Sequence, residues 1–362
     1  MKKFVTSTLA LAAAGSLGFA GPGDSEWSGL DSQLNTIRSS YTAEGGLGSS
    51  FGAVLSVSLV SVDVDVIGLH GFTGADDVLA IDLSEAFAWI EGEVNPEVNW
   101  RVSFDLYGGG GSVSLYEAFI DAKFGSGLLR SGMQLVPTAR SLAFAPENRL
   151  FHYAPISHTV GNGAFMQAFG MDEAITWLGS SDSFSYSIAA ANDGGDGDVD
   201  ELTLIGKATW SNADIDSYEG PFGNSDDGGM AVSLFYVDQG GVTDGTTIGI
   251  DFVYDASNFS VSAGFLDNDT GHGDNSPFFI QGGINVGENG VAGLRFADTD
   301  DAVLAGQQRI TGVYQHYSDN QNHTYSVEIG QDDSDTVDGT FFAFNITAGN
   351  AGNYQDPITG AR

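Results

Sequence analysis

The chain has 362 residues, no cysteine, 51 glycines and 24 phenylalanines, and its 48 Asp and Glu against 12 Lys and Arg give a formal net charge of −36. The missing cysteine excludes disulfides, thiolate metal ligands and a thiol nucleophile. The acidity excludes surface recognition of nucleic acid, which needs clustered Lys and Arg against phosphate.

At the N-terminus, Lys2 and Lys3 precede an apolar run from Phe4 to Ala14 and a small-residue site at Gly18-Phe19-Ala20. This pattern predicts a secretory signal peptide over 1–20, cleaved after Ala20. Its removal leaves 10 basic residues against the same 48 acidic ones, a formal charge of −38. Beyond it, nothing approaches the roughly 18 uninterrupted apolar residues that a membrane-spanning helix needs. Leu30, Leu34, Ile37 and Tyr41 then recur at helical spacing behind a capping Ser28, which predicts a short amphipathic helix over 28–42 within an N-terminal helix and linker segment, 21–50.

From Ala53 onward, short segments rich in β-branched and aromatic residues alternate with turn signals. They predict sixteen strands: 53–66, 79–93, 98–107, 112–124, 128–137, 165–178, 183–191, 201–210, 229–238, 246–255, 258–267, 277–286, 290–298, 306–317, 321–330 and 340–349. The barrel so predicted occupies 51–350 and leaves a polar tail, 351–362.

The connections alternate in length. Val94-Asn95-Pro96-Glu97, Gly125-Ser126-Gly127, Ala256-Ser257, Gly287-Glu288-Asn289 and Ser318-Asp319-Asn320 are tight turns, whereas 67–78, 138–164, 192–200, 239–245, 268–276, 299–305 and 331–339 are mostly longer and rich in Gly and Asp. Short turns on one rim and long loops on the other characterise antiparallel outer-membrane barrels, with the N-terminal helix then at the periplasmic end. Two connections break the pattern: 211–228 is long where a turn is expected, and Gly108 to Gly111 is short where a loop is expected.

Alternation along single strands predicts a wet interior. Val98, Trp100, Val102, Phe104 and Leu106 share one face, while Asn99, Arg101, Ser103, Asp105 and Tyr107 share the other. Leu202, Leu204, Ala208 and Trp210 oppose Glu201, Thr203, Lys207 and Thr209 in the same way. Trp89, Trp100, Trp177, Trp210 and Tyr254 are candidates for interfacial girdles.

The stretch Leu115 to Ser141 contains Glu117-Ala118-Phe119 before a hairpin, followed by Arg130, Gly132 and Pro137. These residues resemble a segment of the phosphate-selective and related porin family. The resemblance implies a trimeric, sixteen-stranded outer-membrane channel whose third long loop, here 138–164, folds into the lumen. Thr138 and Ser141 depart from that family's pattern, and with ten basic residues in the exported chain its Arg ladder and Lys cluster are not recognisable. The fold is carried over and the phosphate preference is not.

Strand parity puts the scarce cations Arg101, Lys123, Arg130, Lys207, Arg295 and Arg309 on the lumen side, since a charge facing lipid costs ~2–4 kcal/mol at the midplane. Arg140 and Arg149 fall in the long loop. Arg130, Arg140 and Arg149, facing Asp105, Glu117 and Asp121, are expected to set a transverse field at the narrowest section, which filters partly dehydrated solutes. The acidic clusters Asp193, Asp196, Asp198 and Asp200; Asp267, Asp269 and Asp274; and Asp332, Asp333 and Asp335 suit solvated loops or loosely bound calcium, although EF-hand spacing fails at Glu201. No H-E-x-x-H or Walker sequence is present, and Ser157 beside His152 and His158 makes no coherent catalytic set.

The sequence therefore predicts an all-β, sixteen-stranded antiparallel transmembrane barrel with an infolded constriction loop. It would be a non-enzymatic outer-membrane homotrimer in lipid, passing small hydrophilic solutes or ions, with no cofactor and no nucleic-acid partner. The alternative is a secreted or surface-attached β-rich adhesion protein with calcium in its acidic loops.

Overall fold

Period-two patterning runs along almost every strand, in the sense opposite to that of a water-soluble barrel. In the segment His323–Asp333, Thr324, Ser326, Glu328 and Asp332 are buried while Tyr325, Val327 and Ile329 are exposed. Polar residues thus point inward and apolar residues outward. The computed structural model describes residues 49–64, 78–106, 113–144, 148–152, 154–156, 170–192, 202–213, 215, 219–222, 228–239, 245–270, 273–300, 306–318, 323–333 and 338–349. The expected signal peptide, the helix over 28–42, the tail and the cluster Asp193, Asp196, Asp198 and Asp200 lie outside these residues.

The strand segments are β1 (Ser49–Val64), β2 (Val78–Asn95), β3 (Val98–Asp105), β4 (Ser114–Phe124), β5 (Gly127–Leu135), β6 (Met171–Ser181), β7 (Phe184–Ala191), β8 (Thr203–Ser211), β9 (Gly229–Gln239), β10 (Gly245–Asp255), β11 (Phe259–Thr270), β12 (Gly273–Asn275), β13 (Phe278–Val286), β14 (Gly290–Asp298), β15 (Gln308–Tyr317), β16 (His323–Asp333) and β17 (Asp338–Gly349). β12 and β13 both pair with β11 and are two pieces of one wall strand. They part at Ser276 and Pro277, where the proline has no N–H to give the ladder. Among the described residues the wall therefore has sixteen antiparallel strands, and β1 pairs with both β2 and β17, so that the sheet closes. Closure leaves no unpaired edge to template aggregation.

The outer surface is an apolar belt. Ile81, Ile175, Ile188, Leu294 and Ile329 are each more than half exposed, together with Phe and Tyr side chains on most strands. A patch this extensive is unfavourable in water, at roughly 25 cal/mol per Å² of apolar surface, and favourable against acyl chains. Trp89 does not belong to this belt. It is buried on the inner face, stacked under Arg101 with the guanidinium carbon 4.7 Å from its ring centroid.

The predicted strand 165–178 begins later, at Met171. The link from β3 to β4 is longer than Gly108 to Gly111, because β3 ends at Asp105 and β4 begins at Ser114. The link from β8 to β9, residues 212–228, is long on the short-turn rim, so at that point the molecule departs from the usual pattern and the register does not slip.

Candidate functional site

The segment leaving β5 turns into the barrel instead of rising from it. Val136, Ala139, Ala143, Phe144, Leu150, Phe151 and Ile156 are all nearly fully buried, and each apolar group has its own dock on the inner wall. Val136 and Ala139 cover an apolar floor of Ala174, Ala189, Ala191, Ile205, Phe235, Val237 and Leu266, contributed by β6 to β9 and β11. The interior is thus not uniformly polar: where the loop lies on the wall, the wall is apolar. Further along, Leu150 and Phe151 pack with Val291, Val313 and Tyr317, and Ile156 packs with Phe279 and Ala297.

Leu150 sits in a socket built from absent side chains. Gly283 on β13 and Gly293 on β14 are directly opposite each other in register. A Cβ on either would come within 3.0 Å of the same Leu150 methyl. Glycine inside a strand commonly marks a close approach of this sort.

Polar contacts fix the loop between the apolar docks. The backbone N–H of Arg140, at the start of a 3₁₀ turn over Arg140–Leu142, donates to Asp251 Oδ2 on β10 at 2.8 Å. The Arg140 guanidinium lies 4.6 Å over the Phe144 ring. Arg149 donates to the Phe144 carbonyl at 3.1 Å and to Glu85 on β2 at 3.2 Å. The His152 N–H donates to Glu328 Oε1 on β16 at 2.5 Å, while its ring Nε2 meets Ser58 Oγ on β1 at 3.1 Å. Between Val136 and Ile156 the chain therefore touches β1, β2, β6 to β11 and β13 to β16, a path that crosses the lumen.

Three cations of the wall are matched to acids on adjacent strands. Arg101 bonds Glu117 at 3.0 Å and Glu91 at 3.3 Å. Arg130 grips Asp121 with two bonds, 2.8 and 2.9 Å, and Arg309 grips Asp332 at 2.7 and 3.2 Å. In each bidentate case the partners stand directly opposite in register. Two-pronged Arg–carboxylate pairs are the strong, orienting kind. Arg130 also lies over the wall residue Phe119 at 4.2 Å, and Arg295 over Phe151 of the loop at 4.3 Å, cation–π contacts that join one guanidinium to the wall and the other to the loop.

Of the candidate residues read from sequence, Arg101, Glu117, Asp121, Arg130, Lys207, Arg295 and Arg309 are buried on the inner face, Asp105 is half-buried on the same face of β3, and Arg140 and Arg149 lie in the crossing loop. Lys123 is exposed beside the tight turn between β4 and β5, at the rim. Of the expected opposition of Arg130, Arg140 and Arg149 to Asp105, Glu117 and Asp121, Arg130 does face Asp121, as a neighbour on the adjacent strand, whereas Arg149 meets Glu85 and Arg140 lies against Phe144 with its backbone on Asp251. Asp332, expected in an acidic loop, is fully buried inside the barrel as the partner of Arg309. Ser157 and His158 lie outside the described residues.

Sequence reasoning missed Glu85, Glu91, Asp251, Glu219 and Glu328. Parity alone could have found Glu328, which alternates with outward Val327 and Ile329. Glu219, in an irregular connection, carries no periodic signal.

No protein-family model and no curated protein matches the chain. Solved structures do. A loop L8 deletion mutant of OmpT, an outer membrane protein of Vibrio cholerae, is similar with a TM-score of 0.57 at 12% identity, over 83% of this chain and 99% of its own. A mutant of the Rh. blastica porin gives 0.57 at 15% identity, over 83% of this chain and 100% of its own. Salmonella typhi OmpF, in complex with daunomycin, gives 0.56 at 13% identity, over 85% and 99%. At such identities the likeness is one of architecture. Over more than four-fifths of its length, this chain has the barrel fold of outer-membrane porins.

Proposed function

We propose that the protein is an outer-membrane porin, a passive diffusion channel for small hydrophilic solutes or ions, and not an enzyme. One observation carries this reading: a closed barrel with an apolar outer belt encloses a lumen lined by paired charges and crossed by an inward-folded loop. The belt argues against a soluble adhesion protein, whose outer face would be polar. A homotrimer fits the reading, and one similar solved structure is OmpT of Vibrio cholerae in a trimer form, at a TM-score of 0.56.

The crossing segment 136–156 is the constriction in this reading, and a solute passing it must exchange part of its hydration shell for wall groups. A phosphate preference gains no support from the wall, because Arg101, Arg130 and Arg309 already hold carboxylates. Reconstitution in planar bilayers tests the proposal. Stepwise conductance from heat-modifiable, detergent-extracted protein is the expected result; a calcium-dependent soluble monomer without channel activity would reverse it.

A further inference from the structure

The connection from β8 to β9 is unlike its neighbours. On the same rim, 96–97, 125–126, 182–183, 256–258 and 287–289 are tight turns, whereas 212–228 is long and its residues Glu219 and Phe222 are buried inside the barrel. This segment meets the constriction loop from the opposite end of the lumen. The Glu219 N–H donates to the Asn148 carbonyl at 2.8 Å, and Glu219 Oε2 accepts the Leu150 N–H at 3.0 Å. One residue thus holds two consecutive alternate positions of the loop with its backbone and its side chain, as a short strand partner would.

The segment has its own anchors. The Pro221 carbonyl accepts from Asn285 Nδ2 at 3.2 Å, and the Phe222 ring stacks on Tyr317 with centroids 3.8 Å apart and planes 6° apart. Above Gly283, Pro221 Cδ and Leu150 Cδ2 share one socket, 2.9 and 3.0 Å from where a Cβ would stand. A connection that only filled space would carry an apolar residue at position 219. A carboxylate buried there must instead be satisfied, and it is satisfied by a loop amide.

Resting on the porin reading, we infer that residues 219–222 form a clasp that enters from the periplasmic rim and fixes the constriction loop, with Glu219 as its positioning residue. The pore is then shaped from both sides of the membrane. The extracellular-rim loop supplies the obstruction, and the periplasmic-rim connection sets how far it projects and how still it is held.

The chain has no cysteine, so an engineered pair reports without background. A Cβ at position 220 lies 3.6 Å from Leu150 Cβ, inside the roughly 3.5–4.5 Å range of disulfides. In the full chain, Leu150→Cys with Gly220→Cys is expected to cross-link in the folded, heat-modifiable protein. Glu219→Ala is expected to raise single-channel conductance and open-channel noise. Glu219→Gln, which keeps an acceptor for the Leu150 amide, is expected to restore the quiet trace. No cross-link in folded protein, or a Glu219→Ala channel indistinguishable from wild type, overturns the clasp. Should Glu219→Ala fail to fold, the cysteine pair decides alone. Wild-type protein without any conductance would count against the porin reading, while cross-linking would still report the contact.

Discussion

Arg130 on β5 and Asp121 on β4 face each other directly across the ladder and close a two-pronged ion pair, at 2.8 and 2.9 Å, with both side chains buried in the barrel. Removing one partner strands the other charge. Arg130→Ala is therefore expected to lower barrel stability by about 3 kcal/mol, the usual scale for breaking a buried pair. Urea unfolding in detergent micelles reads this directly. The exchanged double variant, Arg130→Asp with Asp121→Arg, should recover a substantial part of the loss; a single variant as stable as wild type would show that the pair contributes nothing.

The glycine socket makes a sharper demand. In Gly293→Val the new side chain must occupy the space of Leu150 Cδ2 and Val313 Cγ1, both 3.0 Å from the position of a Cβ. The barrel should still close, because the Gly282 carbonyl on β13, 3.2 Å from that Cβ, needs to give by only a few tenths of an ångström, but the loop should leave its dock. Increased conductance together with new protease cleavage near 150 is expected. Unchanged values on both measurements would place Leu150 elsewhere in solution.

On the outer face, Leu294 is 62% exposed and flanked by the inward Gly293 and Arg295. Leu294→Arg puts a charge where lipid is expected, and a loss of ~2–4 kcal/mol follows if this position lies near the midplane. Folding titrations into bilayers measure it. A neutral result would remove Leu294 from the lipid belt.

Arg140→Glu with Arg149→Glu reverses two charges of the crossing segment, in a chain whose described wall already holds buried Asp251, Asp255 and Glu328. Reversal potentials in a salt gradient should shift toward cations. No shift would mean that ions bypass this part of the loop.

Much of the wall was legible because its physics is local. Outward Leu, Ile and Phe alternating with inward Ser, Thr and charge is a period of two that a reader can count, and the lengths of the turns order the strands. Charge partners were not legible, because they depend on register: a shift of one residue between β15 and β16 would part Arg309 from Asp332, and nothing in either strand alone excludes it. The inward path of the loop left fainter marks. Gly283 and Gly293 are interruptions in two good strands, and Ala189 and Ala191 leave room on β7 for what lies over them. The apolar patch they help form contradicts the simple rule that a lumen face is polar, which is why parity alone misjudged the interior. Trp89 was misplaced for the same reason, since an aromatic near a strand end can serve as a stacking surface for an inward arginine as well as a lipid anchor.

The seam between β1 and β17 has a bearing on assembly. Ser56 and Thr347, whose hydroxyls meet at 2.9 Å inside the barrel, are 291 residues apart in the chain, whereas the other strand pairings join neighbours or near neighbours. The seam they belong to has the largest loop-closure entropy of any strand pairing in the described wall and brings the first strand against the last. Insertion must therefore hold an open, curling sheet with two unsatisfied edges until the final strand arrives. The ring becomes a single cooperative unit only at that moment, and a weakness at the seam would appear as slow or failed closure even where every hairpin is sound.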